Sequence, residues 1–340
     1  MVAVDAKAEA IRTSILSLLR KNNEKRQDSY QFAKQVALKF RNYVSMCKYK
    51  SAAQLLNLVR SEGDLLLEAH PTEFVLRNVL CATLKIIREE TQKLAFGNEE
   101  EVVVDSLNRL WIDPRDSDLQ VDVAKLKKEV VSSLEDFAGD LEDCRDALVQ
   151  RASDHVLPSD TVMTFKYSGS STLQDFLKNS KCCIISVDDE TSDDKTLPFN
   201  GIRPMEIVVM IGGITRVVLS AIAVLPDGSC ITPSGTRAIC EVAKQHSVPV
   251  VVCAAFFKFT PTFVPNIEVI NRQAPGAELL GENSELMSLP HVRVSNPLFD
   301  HIPAKLVALY VTQTAAVSPP HVYRLFNEQY HPDDFFGKAQ

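Results

Sequence analysis

The sequence lacks any run of 18 apolar residues, so it offers no segment long enough to span a membrane as a helix. Its first twenty residues, MVAVDAKAEAIRTSILSLLR, interrupt their apolar positions with acidic and basic ones, and no secretory leader is legible there. No Cys-x-x-Cys pair and no His-Glu-x-x-His occurs, which removes the common zinc spacings. Neither G-x-G-x-x-G nor a P-loop occurs, which removes the two usual phosphate cradles of nucleotide-binding folds. Basic charge is also short. A net charge of −7 and a pI near 5.6 do not fit a general nucleic-acid binder. The expectation is a chain with no cofactor, no metal, no membrane segment and no direct nucleic-acid partner.

What is present fits a globular protein of the cytosol. A chain of 340 residues can bury roughly three quarters of its unfolded surface, so it needs no staple. Most of the eight cysteines sit in apolar runs, as Cys253 does in VPVVVCAAFF, and are expected to be reduced and buried. The basic pairs Arg20-Lys21 and Lys25-Arg26 read as a solvated helix end. His70, His155 and His246 are scattered and point to no catalytic pair.

Two halves follow from the change in hydrophobic period. Residues 1–150 read as an all-helical domain. Ile11, Ile15 and Leu19 recur at helical spacing, as do Phe32, Val36, Phe40 and Val44, and then Leu55, Leu56 and Val59. Ser51 is placed to cap the third helix and Gly63 to stop it. A long helix is expected over 72–96, ended by Gly97, with Val75, Val79, Leu80, Leu84 and Ile87 inward. A polar connection covers 97–121, and a further helix 122–150 carries Leu126, Val130, Leu134, Phe137, Leu141 and Leu148.

Residues 151–340 read as an α/β domain with a Rossmann-like, open, mostly parallel sheet. Short β-branched runs at 161–165, 183–187, 206–210, 216–221, 248–254 and 308–312 suit buried parallel strands. They alternate with helical stretches at 171–179, 236–246 and 320–330. Ligands of such sheets lie at the strand C-terminal ends. Three turns belong there: residues 164–171, 187–190 and 220–229. The Gly/Ser-rich first turn, beside Lys166, has the form of an anion cradle. The run Asp188-Asp189-Glu190 in the second works against a phosphate. The segment NPLFDHIP, residues 296–303, specifies a rigid architectural turn.

Several segments together carry a family resemblance: HPTEFVLRNVLCATLKIIREE, DTVMTFKYSGSSTLQDFL, DGSCITPSGTRAICEVAKQHSVPVVVCAAFFKFTP and NPLFDHIP…PPHVYRLFNEQYHPDD. They are similar to the alpha, beta and delta subunits of eukaryotic translation initiation factor 2B and to the sugar-phosphate aldose–ketose isomerases related to them. The segments LKIIREE and YRLFNEQYHPDD lean towards the beta branch. The isomerases use a cysteine after the first strand and an aspartate after a later one, because an acid and a base must flank the migrating proton. By motif these positions fall on Lys166 and Ile222, and an expected arginine falls within residues 187–190. An isoleucine cannot exchange a proton, so the resemblance implies the non-catalytic branch, with no catalytic, cofactor-binding or metal-binding residue.

That branch implies a regulatory subunit of the guanine nucleotide exchange factor for translation initiation factor 2. Its partners would be the alpha, gamma, delta and epsilon subunits, delta most directly, and factor 2 itself. It would scaffold the complex and sense phosphorylation of the factor 2 alpha subunit. Arg77, Lys85 and Arg88 are donors that could meet a carboxylate or phosphoserine, and Leu309 and Val311 are candidates for a permanent interface. The alternatives are an active isomerase, with Lys166 and Asp227 as its least unfavourable acid–base pair, and a sugar-phosphate sensor. The family usually has further helices in the region 190–216, which is short here.

Overall fold

A computed structural model describes residues 2–24, 28–96, 121–187, 200–262, 271–281, 289, 291–331 and 334. By internal contacts the chain divides into two compact units, Met1–Asp143 together with Gln329–Gln340, and Cys144–Glu328. The sequence places the change near residue 150. The contacts divide the chain slightly earlier, and they group the C-terminal residues with the helices.

The helical unit holds α1 (Val2–Glu24), α2 (Ser29–Met46), α3 (Ala52–Ala69), α4 (Phe74–Phe96) and most of α5 (Val123–Gln150). Their apolar stripes are buried as the spacing requires: Ile15 and Leu19, Phe32 and Phe40, Leu55 and Val59, Val79 and Ile87, Leu126 and Leu134. Ser51 does cap α3, its Oγ accepting from the Gln54 N–H at 3.3 Å. Gly63 does not stop that helix. It lies inside α3, where an added Cβ would stand 2.2 Å from Leu80 Cδ2 of α4. The missing side chain lets the two helices approach, and that packing outweighs the weak helix propensity of glycine. A bidentate pair joins α1 to α3. Arg12 donates to the buried Glu62 from Nε at 2.5 Å and Nη2 at 2.7 Å.

The second unit is built on a seven-stranded sheet. Its strands are β1 (Thr161–Phe165), β2 (Cys183–Val187), β3 (Asn200–Ile202), β4 (Arg216–Ser220), β7 (Val250–Cys253), β9 (Leu309–Val311) and β10 (Ala316–Val317), in the order β10-β9-β7-β4-β1-β2-β3. Every pairing is parallel except that of β10 with β9. The order reverses between β1 and β4, which defines a topological switch point. A smaller antiparallel sheet joins β5 (Ala223–Val224), β6 (Cys230–Pro233) and β8 (Phe299–Ile302). The helices include α6 (Ala152–His155), α7 (Ser171–Ser180), α8 (Ile207–Met210), α9 (Thr236–Gln245), α10 (Ala277–Leu280) and α11 (Val322–Gln329). The core on one face of the large sheet gathers Leu148, Val162, Leu173, Phe176, Val218, Val251 and Val311. Asp160 ties the N-terminal ends of β1 and β4, accepting from Arg216 Nε at 2.9 Å.

Two expectations are corrected. Residues 206–210 are not a strand. Pro204 opens a 3₁₀ turn, Glu206 reaches back to the Arg203 N–H at 3.1 Å, and α8 follows. Ile207 and Ile211, four apart, point inward, whereas Val208 and Val209 are exposed. The place beside β2 is taken by β3, which the sequence does not announce. Val311 is no interface residue either, because β9 is an interior strand: Val311 lies in the core and Leu309 packs against it. No helix among the described residues is long and apolar enough to cross a membrane.

The turn between β5 and β6 depends on Gly228. Its φ is +78°, its carbonyl accepts the Tyr310 hydroxyl at 2.7 Å, and a Cβ there would meet Pro319 O at 2.5 Å. Gly228→Ala combines left-handed strain with a clash against backbone, and is expected to lower unfolding free energy by about 2–4 kcal/mol. Urea denaturation followed by circular dichroism measures it, and a loss below about 0.5 kcal/mol would contradict this account of the turn.

Candidate functional site

The switch point sets Lys166, which follows β1, near the segment that follows β4 and contains Ile222. The chain leaves β1 through Lys166, which takes the left-handed conformation at φ 45°. Its ammonium lies over the Phe165 ring, 5.2 Å from the centroid. A 3₁₀ turn, Tyr167–Gly169, leads to α7. Four amides of the turn and the helix start are bonded within the fold. Tyr167 N–H donates to Ser186 Oγ at 3.2 Å and Gly169 N–H to Lys166 O at 2.9 Å. Leu173 N–H donates to Ser170 Oγ at 3.4 Å and Gln174 N–H to Ser170 O at 3.0 Å. Those four groups are therefore engaged in capping the strand-to-helix turn.

After β4 the chain turns into the small sheet. Ile222 N–H donates to Ile231 O at 2.8 Å, which fixes an apolar residue in the segment after β4. Asp227, the other half of the alternative acid–base pair, is engaged locally: its Oδ1 accepts from Ser229 N–H at 2.9 Å and Oγ at 2.5 Å. The structure thus directs Lys166 towards an aromatic face and Asp227 towards its own turn. Cys253 ends β7 nearby. Burial pushes its thiol up to about 12 and Lys258 offsets this in part, so the nucleophilic thiolate is scarce at neutral pH. The carboxylates Asp188, Asp189 and Glu190 lie outside the described residues. Among the described residues no group of three or more His, Cys, Asp or Glu is arranged to hold a metal ion.

The space above the switch point is organised by Phe165 and Gly235. A Cβ at Gly235 would stand 2.8 Å from Phe165 Cζ, so the ring packs on bare backbone at the start of α9. Gly235 has φ +100°, and the conformation is held from β8: Asp300 Oδ2 accepts the Gly235 N–H at 2.8 Å and the Arg237 N–H at 3.0 Å. The carboxylate caps the helix and faces its positive end. The NPLFDHIP segment is therefore architectural, and more specifically a cap supplied from 63 residues away. Sequence reading found the rigid turn and missed its target, since nothing local to Thr236 names Asp300.

Two of the three helix donors named from the sequence meet carboxylates, as one branch of that expectation has it. Lys85 Nζ stands 3.4 Å from Glu89 Oε1, one turn along α4. Arg88 Nη2 pairs with Asp334 Oδ1 at 3.2 Å. Both meet carboxylates of this chain.

Helices plus an open, mostly parallel sheet of doubly wound order, with an apolar fill at its switch point, define an α/β protein of Rossmann-like type. The sequence model described as "Initiation factor 2 subunit family" matches residues 25–189 and 204–319. The chain belongs to that family. A Dictyostelium discoideum relative, "Translation initiation factor eIF2B subunit beta", is 26% identical over 361 aligned residues, covering 90% of this chain and 92% of the relative. The crystal structure of eIF2B beta from Chaetomium thermophilum superposes with a TM-score of 0.72 at 18% identity, covering 100% of this chain and 98% of that one. A chain of the tetrameric eIF2B-beta2-delta2 complex from C. thermophilum superposes at 0.69 with 20% identity, covering 97% and 99%. The fold expected from the sequence is the fold of these structures.

The cap is testable. Asp300→Ala removes an acceptor from two amides and is expected to cost about 1–2 kcal/mol of stability, with Asp300→Asn costing less. Thermal unfolding of both variants measures this, and equal stability of Asp300→Ala and the parent would remove the cap from the account.

Proposed function

We propose that this chain is a non-catalytic regulatory subunit, of the beta type, in the guanine nucleotide exchange factor that acts on translation initiation factor 2. The observation that carries the reading is the occupancy of the switch point. The family resemblance aligns Lys166 and Ile222 with the positions of an isomerase's cysteine and aspartate, Lys166 lies over the Phe165 ring, and that ring packs against Gly235. Proton transfer requires a titratable group within hydrogen-bond reach of the migrating hydrogen. An isoleucine side chain supplies none.

The match across nine tenths of a beta subunit's length supports the placement in the exchange factor. The beta2-delta2 assembly of the C. thermophilum structure supports a delta-type chain as the direct partner. On this reading the alpha, gamma and epsilon subunits complete the complex, factor 2 is its client, and the site of action is the cytosol. Sensing of phosphorylated factor 2 alpha would then be a property of the assembled complex. Lys85 and Arg88 are not nominated for it, since each already holds a carboxylate of this chain.

Affinity purification of the tagged chain at native abundance, followed by native mass spectrometry, tests the proposal. A stoichiometric assembly containing a delta-type chain is expected. A lone monomer or a dimer of this chain with itself would overturn it.

A further inference from the structure

The C-terminal segment of the helical unit makes a set of contacts that the function above does not use. Tyr330 is buried at 3% exposure. Four residues on, the Asp334 side chain is 1% exposed and meets two arginines from two helices. Arg60 of α3 donates to Oδ1 from Nη2, and Arg88 of α4 donates to the same oxygen at 3.2 Å. Oδ2 is buried with no hydrogen-bond partner among the described residues. The Asp334 carbonyl accepts from Cys81 Sγ at 3.9 Å, so main chain and side chain are both held against α4. Burial pushes the Cys81 thiol up to about 12, with the Asp334 charge adding to the rise, and it raises the Tyr330 hydroxyl as well.

We infer that Arg60 and Arg88 form a carboxylate-binding site on the helical unit, occupied in cis by Asp334, and that the C-terminal segment thereby acts as a latch across α3 and α4. The two arginines approach one oxygen from different helices, and a single anion between them replaces their mutual repulsion by attraction. The site is unlike an exposed surface pair. Arg60 is 42% exposed, but Arg88 is 16% and the carboxylate 1% exposed, so most of the water that would screen the interaction is gone. Tyr330 supplies the apolar anchor. Asp334 supplies the orientation, because a carboxylate with one oxygen unbonded tolerates burial only where the other is held by cations. Removing Asp334 leaves two arginines facing each other with no anion between them, and removing Arg88 leaves the buried carboxylate with the more exposed Arg60 alone, whereas removing Asp334 and Arg88 together leaves neither imbalance. The two effects are therefore coupled.

The test is a mutant cycle on the full chain, read by amide hydrogen–deuterium exchange resolved to individual helices. Asp334→Asn is expected to speed exchange across α3 and α4 by about tenfold or more, with strands β4 and β7 unchanged. Arg88→Met is expected to act in the same direction, and the double variant by much less than the product of the two. If Arg88→Met fails to fold, Arg60→Met with Asp334→Asn closes the same cycle at the more exposed partner. Exchange in α3 and α4 unchanged within about twofold in Asp334→Asn would overturn the latch. So would single effects that simply multiply in the double variant, since charges that do not meet in solution act independently.

Discussion

At the C-terminal edge of the large sheet the ring of Phe165 rests on the bare backbone of Gly235, and this contact sets what the edge can do. Parallel strands aim their C-terminal ends at the place where Rossmann-like proteins bind ligands. Here Phe165 and Gly235 pack against each other at that edge. Phe165 is the last residue of β1, Gly235 opens α9, and Asp300 on β8 holds the glycine in a left-handed conformation that few other residues adopt. Lys166 then lays its ammonium over the same ring. One strand end, one helix start and the small sheet are thus joined through Phe165, Gly235 and Asp300.

The legible part of this arrangement was the part with a local cause. β1, β2 and β4 announce themselves through β-branched runs between turn residues, because a strand covered on both faces has no polar alternation to show. The helices of the first unit follow from stripes at offsets of three and four. The Ser51 cap follows from its place before such a stripe. What stayed hidden depends on residues far apart in the chain. Gly63 reads as a helix stop until Leu80 is seen against it. The run at 206–210 reads as a strand, since its IVVM has high strand propensity, but Pro204 and Glu206 start a helix and β3 already occupies the adjacent place in the sheet.

The candidate site was legible in one sense and opaque in another. Lys166 and Ile222 carried the whole argument against acid–base chemistry, and both lie beside the switch point that the strand order defines. The partners that make the filling stable were not legible. Asp300 sits in a segment that looks like a turn of its own, and Gly235 looks like an ordinary loop glycine. In the helical unit, Arg88 looks like a solvent-facing donor on α4, and its carboxylate arrives from beyond the end of the α/β unit. Charge pairs of long sequence separation leave no periodic trace, so a single sequence does not reveal them.

The central claim is that the switch point cannot move a proton between neighbouring sugar carbons. Its most direct test is to incubate the purified full-length chain, alone and in its native complex, with 5-methylthioribose 1-phosphate and to follow the ketose product by nuclear magnetic resonance. The account predicts no conversion above the protein-free control in either form. Sustained turnover that disappears on Lys166→Ala would contradict it.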